Sequence, residues 1–440
     1  MDALDLSRLQ FALTAGFHFL FVVVTLGLAP VVAYLQTRWA ATGNPMYQRL
    51  TRFWGQIYIV NYALGIVVGI ILEFQFGLHW PGLMTFAGDV FGAPLAMETM
   101  AAFFLESTFL GLWIFGWGRL NRWVHTALIW LVVITAYLSM YFVMVANAFL
   151  QEPRGHEVRD GVARIDDVGA FFTNPHALGA IAHIVPVAML TIGIVMLAIC
   201  SWHFLQRTPD VEFFRRSLRI ALVLGFVGIT FVIGFGYAQI GYITDGKMLM
   251  IRRAPEDVAT FQEQMESVHG PGDWAPPEWS SLAYPVMEFG GFLTWMVMAG
   301  LVVLLIKNAF ERLGSQRYRN FWYRVWVWTV PWPFLLIICG WLVREVGRQP
   351  WLVYEELTVA EGVAPRSVGA VTASLLIFGG LFVTFAVIDW YLIAHLARRG
   401  PHGMLLGMTT ADATDDDGDD PQRHDPEHTT VLLTDKGRRS

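Results

Sequence analysis

Residues Leu178–Phe204 read LGAIAHIVPVAMLTIGIVMLAICSWHF, a run without a single Asp, Glu, Lys or Arg. Crossing about 30 Å of hydrocarbon takes about 20 helical residues, so a stretch this long and apolar predicts a transmembrane helix. The pattern recurs along the chain. Comparable runs lie near 11–34, 54–76, 94–117, 125–149, 218–240, 284–306, 322–343 and 369–396, which predicts nine spans in all. Composition agrees, since 55% of the 440 residues are hydrophobic and only 15% charged, with 18 Trp and 32 Phe. The expected fold class is an all-α integral membrane protein, a bundle of about nine transmembrane helices. The first run is too long for a signal-peptide core and lacks the usual basic flank, so it reads as a retained helix.

Short cytoplasmic loops hold an excess of Lys and Arg, and the connections here fall into two sets. One carries Arg38, Arg49 and Arg52, then Arg119 and Arg122, then Arg207, Arg215, Arg216 and Arg219, then Lys307, Arg312, Arg317, Arg319 and Arg324. The other is longer and poorer in basic residues, and runs through 77–92, 151–176, 241–282 and 344–368. The basic set and the C-terminus are therefore expected in the cytoplasm, and the N-terminus outside. The expected organisation is helices one to six over 1–240, an extracytoplasmic loop over 241–282, helices seven to nine over 283–400, and an acidic cytoplasmic tail over 401–440. That tail contains Asp415-Asp-Asp-Gly-Asp-Asp420 and little apolar content, so it is expected to be disordered. The net charge of −6 owes much to it.

Cys200 and Cys339 both fall inside apolar runs, which argues against a disulfide framework, and no Cys-x-x-Cys-His occurs, which excludes covalent c-type haem. No phosphate-binding glycine loop, soluble-domain repeat or nucleic-acid signature is present.

The polar residues within the spans carry the chemistry, because ionisable groups at membrane depth are functional candidates. Glu345 ends the eighth run in Trp341-Leu-Val-Arg-Glu-Val-Gly-Arg-Gln-Pro-Trp351. It either forms a rim salt bridge with Arg348, three residues on, or serves a buried cofactor. Glu98 and Glu106 lie deep in the third run, separated on a regular helix by roughly 12 Å of rise and about 80° of rotation. Both can face one interior strip, which suits proton relay, with interhelical hydrogen bonding as the bland alternative. His18 in the first run and His183 among small residues in the fifth are imidazoles suited to iron. Met296, in Thr294-Trp-Met-Val-Met-Ala-Gly300, could pair with His183 on six-coordinate haem iron. Taken alone it reads as packing.

Several motifs in order resemble subunit I of the cytochrome bd-type quinol oxidases. They are Leu6-Ser-Arg-Leu-Gln-Phe11 before His18, Leu72-Glu-Phe-Gln-Phe76, Ala96-Met-Glu98, Phe104-Leu-Glu-Ser-Thr-Phe109, Asn174-Pro175 before His183, and Gly347-Arg-Gln-Pro-Trp351 after Trp341 and Glu345. The resemblance covers about residues 1–400 and includes the nine-span count.

It implies a terminal respiratory oxidase of the bacterial cytoplasmic membrane that oxidises quinol at the outer face. Electrons would pass through a low-spin haem b to a high-spin haem pair that reduces O2 to water with cytoplasmic protons. Proton motive force would then arise without a pump. The implied cofactors are two haem b, one low-spin and one high-spin, and haem d or a third haem b in its place. Axial ligands do not distinguish the two. By the resemblance, His183 and Met296 would ligate the low-spin haem, and Glu345 and His18 the high-spin pair. Glu98 and Glu106 would stand beside that pair in proton relay, Trp341 would pack against a porphyrin, and Arg348 would stabilise a propionate or the local carboxylate.

Quinol binding would fall on the 241–282 loop, which is of the short kind. Its Lys247 plausibly matches the family's quinol-associated lysine, but the glutamate expected five residues later is Arg252, leaving Glu256 as the nearest acidic substitute. The implied partners are a second subunit of related fold, forming a heterodimer, and a small single-span peptide. Two other classes bury similar groups. A proton-coupled transporter would use Glu98 and Glu106, but no inverted repeat supports it. A haem b electron-transfer subunit of a quinone-linked dehydrogenase would need His183 and Met296 but not the pair formed by Glu345 and His18.

Overall fold

The computed structural model describes residues 2–307, 315–402 and 406–407. The acidic stretch Asp415–Asp420, and almost all of the predicted tail, lies outside the described residues. Among the described residues nine helices are long and apolar enough to cross a membrane: Ala3–Thr42, Pro45–His79, Pro81–Phe115, Arg122–Gln151, Val168–Leu205, Val211–Tyr242, Glu278–Ile306, Gln316–Val346 and Val368–His402. They are called the first to ninth spans below. The chain is thus an all-α, multi-pass integral membrane protein.

Local sequence sets the span ends. Asn44-Pro45 and Asn174-Pro175 each place an asparagine at the N-cap and a proline at the first helical position, where its missing N–H is no loss. The Asn174 side chain accepts from His176 N at 2.9 Å and donates to Glu152 O at 2.9 Å, so one residue caps the fifth span and ties it to the end of the fourth. The first span stops at Gly43, whose φ of +68° suits glycine and lets its N–H reach Trp39 O at 2.8 Å.

The first and fifth spans form the centre of the bundle, and their approach depends on small residues. A Cβ on Gly27 would lie 2.4 Å from the Ala188 carbonyl oxygen. Within lipid, where apolar burial drives no helix association, such backbone proximity provides the packing. The core here includes Val24, Leu28, Ala188, Ile192 and Met196.

Two connections depart from the sequence expectation. The 77–92 segment, read as a loop, is mostly helix, because the third span begins at Pro81 and continues through Gly82, Gly88 and Gly92. Those glycines dilute the apolar signal without ending the helix. The 241–282 connection folds into helices Asp245–Ile251 and Pro255–His269. Its Trp274 stacks on Trp351 with ring centroids 5.0 Å apart, so the connection caps the end of the eighth span. Two antiparallel hairpins, His156–Arg159 with Val162–Ile165 and Trp351–Val353 with Leu357–Thr358, complete the structure at this end.

Candidate functional site

A cavity of about 1460 Å³, counting the space at its open side, lies between the fifth, sixth, seventh and eighth spans. Its walls are mostly apolar, with His183 of the fifth span among the lining residues. The His183 Nδ1 side of the ring packs against Gly236 of the sixth span, where it meets the Val232 carbonyl.

Met287 lines the cavity wall. Met296, expected to pair with His183, is 58% exposed and lies one helical turn beyond the lining residue Phe292. At about 100° per residue, the separation of 287 and 296 amounts to two and a half turns, so the two side chains leave the seventh span on opposite faces. The signal that could have found Met287 is the helical phase of the span. Beside it, Glu288 Oε1 accepts from the phenols of Tyr237 and, at 3.3 Å, Tyr284.

Trp341 and Arg344, one turn apart on the eighth span, form another wall. Trp341 also meets Phe19 of the first span edge-on at 5.0 Å. Glu345 points away from this cavity into a polar cluster. Its Oε1 accepts from Asn147 Nδ2 and Gln151 Nε2, both at 3.1 Å, and its Oε2 accepts from Arg348 Nη2 at 2.7 Å. Arg348 also donates to Leu352 O. The salt bridge considered from sequence is therefore present, within a set of donors from the fourth span that sequence spacing did not reveal.

Lys247 is only 4% exposed and lies on the cavity wall, packed over Gly347. Burial, and then the Arg344 charge, hold its ammonium well below the ordinary lysine value, against the opposing pull of Glu345. Glu256 does not join it. Glu256 stands exposed in the first turn of the helix Pro255–His269, so the expected pairing of these two residues at one quinol site is not found. The helix start at Pro255 turns that carboxylate outward.

His18 lies on the first span against Gly69 of the second, where a Cβ would come 3.0 Å from its Cε1. Its Nδ1 is buried and unpartnered. Glu98 accepts from Ser139 Oγ at 2.7 Å, and Glu106 is 5% exposed with Oε1 buried and unpartnered. Residues Glu98–Phe103 form a π-helical turn inside the third span. That widened turn absorbs about one residue, which brings the two carboxylates from about 80° to about 20° of the same line. Glu98 lies within electrostatic reach of both Glu73 and Glu106, and Tyr62 OH, 3.3 Å from Ser107 Oγ, lies near both Glu98 and Glu106.

Buried histidines on the first and fifth spans and a cavity with mostly apolar walls fit a tetrapyrrole better than a bare metal ion. Among the described residues no cluster of His, Cys, Asp and Glu could hold a metal alone. The comparisons agree with that reading. The model of the family described as cytochrome bd terminal oxidase subunit I matches residues 6–271 and 258–401. The cytochrome bd ubiquinol oxidase subunit 1 of Bacillus subtilis (strain 168) is 32% identical over 91% of this chain and 94% of its own length. The cytochrome bd-II ubiquinol oxidase subunit 1 of Escherichia coli (strain K12) is 29% identical over 93% and 99%. The solved bd oxidase of Geobacillus thermodenitrificans, at 24% identity, superposes with a TM-score of 0.76 over 91% of this chain and 99% of that one, which shows a common fold.

Proposed function

We propose, on the premise that this chain belongs to the family of cytochrome bd terminal oxidase subunit I, that it is the haem-bearing subunit in which quinol oxidation is coupled to reduction of O2 to water. Membership makes it a subunit of a respiratory terminal oxidase, with haem as the implied cofactor class. The finer assignments below are ours.

His183 and Met287 would hold the low-spin haem b in the cavity. Glu345 and His18 would serve the high-spin haem b and the third haem, d or b. Bound haem supplies the one-electron chemistry, and the protein residues place it and move protons. Trp341 stands between the cavity and Phe19 of the first span, the helix that carries His18. This supports a path from the low-spin site toward the high-spin pair. Glu98 and Glu106 would pass protons inward, with Ser139 orienting the first carboxylate. Lys247, whose charged form burial disfavours, would meet quinol from the cavity wall. In the orientation set by the arginine-rich connections, the cavity, Lys247 and Glu345 face outward and the protons enter from the cytoplasm of a bacterium. A second membrane subunit would complete the heterodimer, and a small single-span peptide would join it.

The observation that carries this reading is His183 at membrane depth on the wall of a mostly apolar cavity that Met287 and Trp341 also line. The test is a reduced-minus-oxidised and CO-difference spectrum of the purified complex. The expected result is a low-spin haem together with a CO-reactive high-spin centre. No haem would overturn the reading in favour of a transporter, and low-spin haem alone would favour an electron-delivery subunit.

A further inference from the structure

Arg344 is the cation on the cavity wall whose hydrogen bonds the protein leaves incomplete. Its Nε donates to Asn147 Oδ1 at 2.8 Å, which fixes the plane of the guanidinium. Its Nη2 is buried and has no partner. The neighbouring carboxylate does not complete it. Glu345 Oε1 comes no closer than 3.8 Å to Arg344, and that oxygen already accepts from Asn147 and Gln151. Asn147 therefore divides its amide between the two, taking the arginine on its oxygen and giving its nitrogen to the glutamate.

An unpaired guanidinium edge at membrane depth is expensive. Arg344 lines the same cavity as His183 and Met287. A guanidinium on an otherwise apolar wall suits a ligand that is mostly apolar and carries acid groups at its edge. A planar fork of N–H donors matches a carboxylate best.

We infer that Arg344 is the anchor for a carboxylate of the porphyrin bound between His183 and Met287, and that it thereby sets the reduction potential of that haem. The inference rests on the haem reading of the cavity. A fixed cation beside the macrocycle favours the reduced iron, which carries one less positive charge, so removing it lowers the potential. A purely structural arginine, holding Asn147 and Glu345 in place, would not act on the potential in this way.

The test uses the assembled oxidase complex purified with Arg344→Met and Arg344→Lys. Redox titration of the low-spin haem is expected to show a lower midpoint in Arg344→Met and a value near the parent in Arg344→Lys. Resonance Raman bands of the porphyrin carboxylates should shift in the first variant only. If Arg344→Met does not assemble, Arg344→Gln, neutral but still able to donate to Asn147, carries the same comparison. An unchanged midpoint and unchanged carboxylate bands in the neutral variant overturn this assignment alone. A parent complex without low-spin haem overturns both the assignment and the haem reading.

Discussion

Arg348 Nη2 lies 2.7 Å from Glu345 Oε2, one helical turn earlier, while Asn147 and Gln151 of the fourth span hold the other oxygen of the same carboxylate. The pair thus bridges two spans rather than decorating one. Replacing Glu345 with Ala leaves Arg348, whose side chain is 5% exposed, without its counter-charge. Breaking a buried pair costs about 3–5 kcal/mol. Because the Glu345 side chain is 27% exposed, we expect a loss of about 3 kcal/mol, at the low end of that range. Glu345→Gln should recover most of it. Thermal unfolding of the purified complex checks the order, and CO-difference spectra of Glu345→Ala and His18→Ala should show the high-spin centre lost with the low-spin signal kept. If both variants keep the CO-reactive centre, the ligand assignment is wrong.

Met287 and Met296 give a separate test of the low-spin site. Met287→Leu preserves volume but removes the thioether, so it should abolish the six-coordinate low-spin spectrum. Met296→Leu, on the opposite face, should leave it intact. The reverse result would return the ligand to Met296.

Lys247 predicts a pH dependence with a definite sign. Its folded-state pKa lies below the ordinary 10.5, chiefly through burial, so over the window up to that value the unfolded chain binds more protons than the folded one. Stability then rises with pH across the window. Lys247→Met should remove that rise and stabilise the protein at the low end of the window. Unfolding midpoints measured across alkaline pH decide it, and parallel slopes for parent and variant would refute the prediction.

Glu98 and Glu106 are expected to limit proton delivery rather than electron entry. In Glu98→Gln and Glu106→Gln, stopped-flow reduction of the haems by quinol should proceed at the parental rate while O2 consumption falls roughly a hundredfold or more, the low end of what a proton-transfer group contributes. Equal slowing of both steps would argue for a structural role.

Gly27 tests the packing at the centre. Any side chain there meets the Ala188 carbonyl, whose oxygen would lie 2.4 Å from the new Cβ. Gly27→Val should cost about 1–3 kcal/mol by forcing the first and fifth spans apart. The yield of folded protein in detergent, compared with Gly16→Val, where a Cβ meets nothing within 4 Å, checks it.

Much of the site was legible as residue types at membrane depth. His18, Glu98, Glu106, His183 and Glu345 stand out because charge and imidazole are rare in apolar runs. Met287 did not stand out for the opposite reason. A thioether is at home in lipid, so no cost marks a methionine that lines the cavity. Arg344 escaped notice because its neighbour Glu345 offered a ready local partner, and only the fourth span shows that Asn147 and Gln151 already occupy that oxygen. Glu256 was chosen by proximity along the chain, which says nothing about direction once Pro255 starts a new helix.

The sequence by itself determined the nine membrane-spanning segments found among the described residues, where each lies to within several residues at most ends, and which ionisable groups lie at membrane depth. These follow from transfer free energy, which acts on each segment independently of the others. Only the tertiary structure decided which groups come together: His183 and Met287 on the walls of one cavity, Glu345 with Asn147, and Lys247 over Gly347. Those contacts depend on the rotational phase of each helix and on where glycines let backbones approach, quantities fixed by packing between spans rather than by the composition of any one.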